Sequence, residues 1–220
     1  MYRNVKSYFK GRETQDGAGV KLRRCFGYHQ IPDFDPFLMM DFFDSTDPAD
    51  YKRGFPWHPH RGIETVTYLI KGKIEHGDSI GNQGLIEDGQ CQWMTAGSGI
   101  LHQELPQPSE EMLGVQVWLN LAARNKMTEP QYGDITEDMI PVYEDNEKKV
   151  HIIAGKYKGL SGEIQRSDTR PTFFDVELAA KSEFIFELES DYNAYAFLIR
   201  GEANFEPEQE NLKQYPQGVL

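Results

Sequence analysis

Two cysteines in 220 residues are too few for a disulfide framework, and Cys25 and Cys91 stand far apart, outside any Cys-x-x-Cys spacing. Their scarcity fits a reducing compartment. Positive charge is also short: 23 Lys and Arg against 35 Asp and Glu leave a formal net charge of −12 and a pI of about 4.9. That balance argues against direct binding to nucleic acid phosphates or to anionic membranes. No uninterrupted apolar run approaches the length of a membrane span. The opening Met1-Tyr-Arg-Asn-Val-Lys-Ser-Tyr8 has no apolar core of the signal-peptide kind. The expected location is therefore the cytoplasm. Long stretches of helical periodicity are missing too.

What remains is a globular chain, 39% hydrophobic and 26% charged, long enough for one large or two small domains. Its pattern is mostly β. Strands are expected over 20–26, 35–43, 64–70 and 91–94, with a turn at Lys71-Gly72-Lys73. Residues 112–121 give the cleanest alternation. Leu113, Val115, Val117, Leu119 and Leu121 take one face, and Gly114, Gln116, Trp118 and Asn120 the other. Residues 77–89 read as a Gly-rich loop and 123–140 as a polar connector. Further strands are expected over 150–154, 172–178, 183–188 and 195–199. Many short strands with Gly and Pro turns indicate a sandwich or barrel. The second half resembles another β unit, beginning near residue 141, with room after Arg200-Gly201 for one more strand.

The chemistry-bearing residues form two clusters. The first is His58-Pro59-His60, and the second is His102-Gln103-Glu104, just after Ala96-Gly-Ser-Gly-Ile-Leu101. In a strand, residues i and i+2 share a face. His58 and His60 therefore project together, and so do His102 and Glu104. Neighbouring strands would then offer three imidazoles and one carboxylate to one point. A lone His-x-His is usually a surface coincidence, but this pair of clusters favours a metal. The set suits a divalent transition metal with open positions, such as Fe(II), over a closed structural zinc site; manganese, nickel, copper and zinc remain compatible with it. By the same parity Glu64 would share the face of His58 and His60, although a buried structural carboxylate is the plainer reading. His76, after the hairpin turn, would border the pocket or, the plainer reading, be an ordinary loop histidine, and His29 and His151 read as structural or surface residues. Trp57 and Trp93 flank the clusters as an aromatic wall or as packing. Met40, Phe42 and Phe43 read as core.

Several segments together resemble the pirin family. They are Phe55-Pro-Trp-His-Pro-His-Arg-Gly-Ile-Glu-Thr-Val-Thr-Tyr68, Glu75-His-Gly-Asp-Ser-Ile-Gly-Asn82, Gln92-Trp-Met-Thr-Ala-Gly-Ser-Gly-Ile-Leu-His-Gln-Glu104, Gly114-Val-Gln-Val-Trp-Leu-Asn120 and Pro130-Gln-Tyr132. The match is dense in the N-terminal half and loose beyond it. The resemblance implies an all-β bicupin, two antiparallel jelly-roll β-barrels in one monomeric chain. Residues 1–133 would form a metal-binding N-terminal cupin domain. Residues 134–220 would form a metal-free C-terminal domain, expected to be incomplete.

The same resemblance implies His58, His60, His102 and Glu104 as ligands of Fe(II). It implies a quercetin 2,3-dioxygenase activity, with O2 and a flavonol-like aromatic as substrates. Glu104 would be the catalytic base for a substrate hydroxyl. Other members of the family are associated with transcriptional co-regulation. The alternative is thus a non-catalytic, redox-sensitive iron protein that modulates a protein partner.

Overall fold

Alternation along one strand divides the molecule into layers. The computed structural model describes residues 3–27, 29, 34–164, 169–205, 214–215 and 218–219. Its first eleven strands are β1 (Arg12–Asp16), β2 (Val20–Phe26), β3 (Phe37–Ser45), β4 (Phe55–His60), β5 (Ile63–Lys71), β6 (Lys73–Asp78), β7 (Gln83–Ile86), β8 (Cys91–Thr95), β9 (Ile100–Gln107), β10 (Met112–Asn120) and β11 (Gln131–Ile135). They make a seven-stranded sheet in the order β1-β2-β3-β10-β5-β8-β11 and a four-stranded sheet in the order β4-β9-β6-β7. Every pairing within both sheets is antiparallel.

The seven-stranded sheet is covered on both faces. Leu113, Val115, Val117 and Leu119 of β10 join Val66 and Tyr68 of β5, with Cys91 and Trp93 of β8, on one face. Residues of the second half pack against them, including Ile140, Ile153, Phe173 and Phe197. The opposite face looks at the four-stranded sheet. There Leu69, Phe43 and Met112 meet Ile74 and Ile86. Full burial of each such side chain contributes about 1.5–3 kcal/mol.

The second half is more sparely built. Its strands are β12 (Val142–Glu144), β13 (Lys148–Ala154), β14 (Lys156–Tyr157), β15 (Leu160–Ser161) and β16 (Phe173–Leu178). β12, β13 and β16 form a three-stranded antiparallel sheet. Short ladders join Phe197–Leu198 to Gly218–Val219 and Ala203–Asn204 to Gln214–Tyr215. Among the described residues, no helix is long and apolar enough to cross a membrane.

Three expectations change. The stretch 77–89 is not a loop, because β6 and β7 form a hairpin there. Asp78 accepts from the backbone N–H of Ile80 and of Asn82, each at 2.9 Å, and so closes its turn. The connector 123–140 contains β11, which extends the large sheet beside β8. Residues 183–188 are not a strand. Phe184 and Phe186 instead pack on Val150, Ile152 and Tyr157. Alternation there follows contact with a core and not a ladder.

Candidate metal centre

The two histidine clusters meet because their strands are hydrogen-bonded partners. His58 on β4 lies opposite His102 on β9. β4 is an edge strand, which tolerates Pro56 and Pro59, residues without an N–H for a ladder. A bulge between Phe55 and His58 adds one residue to β4 and re-aims the strand beside the site. The turns at the far ends of these strands are tied together. Gly62 N–H donates to Gly97 O at 2.8 Å, and Ala96 N–H to Ile63 O at 2.9 Å. Gly97 sits at φ +49°, and a Cβ there would collide with the carbonyl of Thr128, so glycine is needed.

His58, His60 and His102 each present one ligand atom, all within 4.8 Å of one another. Ring centroids are 4.4 Å apart for His58 and His102, 4.8 Å for His58 and His60, and 5.0 Å for His60 and His102. His102 is fully buried, His60 is buried and His58 is half-buried, so the centre opens on the His58 side. Both ring nitrogens of His102 are buried without a hydrogen bond. An orphaned imidazole in a protein interior is costly unless something else takes its lone pair. A divalent transition metal fits that requirement and this donor set. His58 Nδ1 sits 2.8 Å from the Pro56 carbonyl, which assigns its proton to Nδ1 and leaves Nε2 free as a donor of electrons. Burial, with His102 and His58 adding, pushes the His60 imidazole down to about 4. Burial, with His58 and His76 adding, pushes His102 down to about 3. Both rings are therefore neutral near pH 7, as metal ligation requires.

Glu104 does not join that histidine group. Its side chain is buried and faces the large sheet. Thr67 Oγ1 donates to Oε1 at 2.9 Å, and Gln116 Nε2 donates to Oε1 at 3.0 Å and Oε2 at 2.9 Å. Trp118 Nε1 donates to Gln116 Oε1 at 3.3 Å, and its ring meets the His60 ring edge-on. Sequence reasoning placed Gln116 and Trp118 on one face of β10 but gave them no role. The signal available was that a polar face on a central strand cannot be solvent.

Glu64 is the buried structural carboxylate of the plainer reading, while His76 departs from its expectation. Glu64 does not share the face of the histidines, because the chain leaves β4 at Arg61-Gly62 and enters a different sheet at β5. It points with Val66 and Tyr68, is fully buried, and accepts from Thr95 Oγ1 at 2.8 Å and Thr169 Oγ1 at 2.7 Å. His76 is not a loop residue. It is buried on β6 directly opposite Glu104, with Nδ1 2.9 Å from the Tyr132 hydroxyl and Nε2 2.9 Å from Asp134 Oδ1. Trp93 packs in the core and Trp57 is 52% exposed. His29 is exposed, and His151 lies 3.9 Å from the exposed Glu177. Cys25 and Cys91 are free and buried.

Two antiparallel sheets enclosing a three-histidine centre define an all-β protein of the cupin fold. A crystal structure of a Geobacillus kaustophilus protein superposes with a TM-score of 0.82 at 25% identity, over 98% of this chain and 83% of that one. Quercetin 2,3-dioxygenase from Acinetobacter baumannii matches with a TM-score of 0.66 at 32% identity, over 74% of this chain and 60% of that one. The family model Pirin matches residues 19–119. A pirin-like protein of Caulobacter vibrioides is 43% identical over 202 residues, 90% of this chain and 73% of the relative. The chain belongs to the pirin family.

Proposed function

We propose that this protein is a metal-dependent dioxygenase that opens the ring of quercetin or a similar flavonol with O2, and that Fe(II) is its resident metal. The observation that carries the proposal is the convergence of His58, His60 and His102, with both nitrogens of His102 buried and unpartnered. The 32% identity to a quercetin 2,3-dioxygenase supports the substrate class. His58, His60 and His102 would hold the metal, and Glu104, which stands outside their group, would be drawn in as the fourth ligand. When bound, the metal supplies Lewis acidity toward a substrate oxygen and redox chemistry toward O2.

The remaining work falls to the chain itself. Glu104 takes the proton of a substrate hydroxyl on a carboxylate oxygen. Thr67 and Gln116 orient that carboxylate through three donated hydrogen bonds. Trp118 borders the site beside His60, and its ring offers an apolar surface to a flat aromatic. The half-buried His58 side provides the approach, while the buried His102 side keeps water from the deeper part.

The test is oxygen consumption by anaerobically Fe(II)-loaded protein with quercetin. Rapid uptake is expected, lost in the His58→Ala, His60→Ala double variant. Glu104→Gln should stay folded and lose most turnover; full iron with undiminished turnover would remove Glu104 from the base role. Stoichiometric iron without uptake would instead favour a regulator of a protein partner.

A further inference from the structure

Buried polar atoms without hydrogen-bond partners gather in one place. Among the described residues they include Thr65 Oγ1, Gln92 Nε2 and Oε1, both nitrogens of His102, His76 Nε2 and Asp134 Oδ1. Trp93 Nε1, on the other face of β8, is the exception. A metal accounts for one nitrogen of His102 and leaves the other, which then carries the proton, without a partner. His76 Nε2 and Asp134 Oδ1 face each other at 2.9 Å, without the alignment of a hydrogen bond. Thr65 and Gln92 have no such account.

Register explains the gathering. Gln116, Thr67, Gln92 and Asp134 are successive cross-strand partners on β10, β5, β8 and β11. Directly opposed residues share a face of a sheet, and the bonds of Thr67 and Gln116 to Glu104 mark that face as the inner one. Thr65 is the diagonal neighbour of Gln92. The row thus runs from the Glu104 carboxylate to Asp134, whose side chain is 29% exposed. Gln92 is the break in it, 1% exposed and with neither amide atom satisfied. At the outer end Gly84 leaves room for the His76–Asp134 pair: a Cβ there would lie 2.7 Å from His76 Cε1 and against Asp134 Oδ2.

We propose that Gln92, Thr65 and Thr67 enclose an internal water site that links the hydrogen-bond network of Glu104 to the His76–Asp134 pair. The chemistry on offer is that of water. Gln92 brings donors and an acceptor, the Thr65 hydroxyl brings either, the Thr67 hydroxyl, whose proton goes to Glu104, brings an acceptor, and so does Asp134. A buried water takes two to four such partners and satisfies groups that protein atoms leave open. The site does not depend on the ring-opening reaction and is tested without turnover.

The experiment is a water-to-amide rotating-frame Overhauser measurement on 15N-labelled, Zn(II)-loaded protein. The side-chain NH2 of Gln92 should show a cross-peak to a bound water, with the sign that separates proximity from proton exchange. The melting temperature of Gln92→Met is the second measurement. It should fall, because the variant loses bonds to that water. An absent cross-peak, or a melting temperature raised in Gln92→Met as expected for removal of a dry orphaned amide, overturns the proposal.

Discussion

Gln116 reaches both oxygens of Glu104 with a single nitrogen, at 3.0 and 2.9 Å. Trp118 determines which end of that amide faces the carboxylate. An indole N–H only donates, so the amide oxygen turns toward Trp118 and the NH2 toward Glu104. The same indole ring stands 5.0 Å from the ring of His60. One side chain therefore steadies His60 by contact and Glu104 through a relay.

Gln116→Leu should weaken metal binding by about 10–100-fold, the range for groups that orient ligands from behind. Trp118→Phe keeps a ring against His60 and loses only the N–H, so its effect should be smaller. Competition with a chromophoric chelator for Zn(II) measures both. Unchanged affinity in both variants would detach Glu104 and its network from the metal.

The metal-free protein should lose stability as pH falls below neutrality. His60 and His102 titrate near 4 and 3 in the folded chain against an ordinary 6.5. Above 6.5 both are neutral folded or unfolded, and neither contributes a pH dependence. Below it the unfolded chain binds protons that the folded chain refuses, so stability drops until the folded values are reached. Each buried imidazole gives a slope of up to about 1.4 kcal/mol per pH unit. Urea midpoints of chelator-treated protein at pH 7 and pH 5 give the slope. His102→Asn should flatten it; an equal slope in that variant would place its origin elsewhere.

Much of this was legible in the letters, and the misses share a cause. Period two in β10 and the paired His-x-His and His-x-Glu spacings depend on strand geometry alone, which survives without knowledge of the neighbours. The side of the sheet on which Glu64 falls does not. It depends on a change of sheet at Arg61-Gly62, and parity cannot be carried through a turn of that kind. His76 and Tyr132 lay in segments whose glycines suggested loops. Their strand character comes from partners distant in sequence, β9 for His76 and β8 for Tyr132. Phe184 and Phe186 alternate as strand residues do, yet pack on a core as an irregular segment.

Glu64→Gln separates the two readings of that carboxylate. The side chain is held by Thr95 and Thr169, away from the histidines. Metal stoichiometry should remain one per chain. Stability should fall by about 1–3 kcal/mol, as for a disturbed buried hydrogen-bond set. Equilibrium dialysis with Zn(II) and urea unfolding supply both numbers. A loss of metal with stability unchanged would instead place Glu64 among the ligands.

Tyr68 joins the large sheet to the second half by donating to Asp175 Oδ2 at 2.9 Å. Burial raises the Asp175 carboxyl, and the Tyr68 hydroxyl partly offsets that rise. In Tyr68→Phe the offset disappears and the folded value climbs further. Asp175 then binds its proton more readily folded than unfolded, a destabilisation present above the folded value and absent below the ordinary carboxylate value of 3.8. The deficit relative to wild type should be about 1–3 kcal/mol at pH 7 and should shrink as the pH approaches 4, next to that ordinary carboxylate value. Urea unfolding of both proteins at the two pH values measures it. A deficit independent of pH would mean that the lost Tyr68 hydroxyl acts other than through the charge of Asp175, since the ring that packs on Phe173 is kept in the variant.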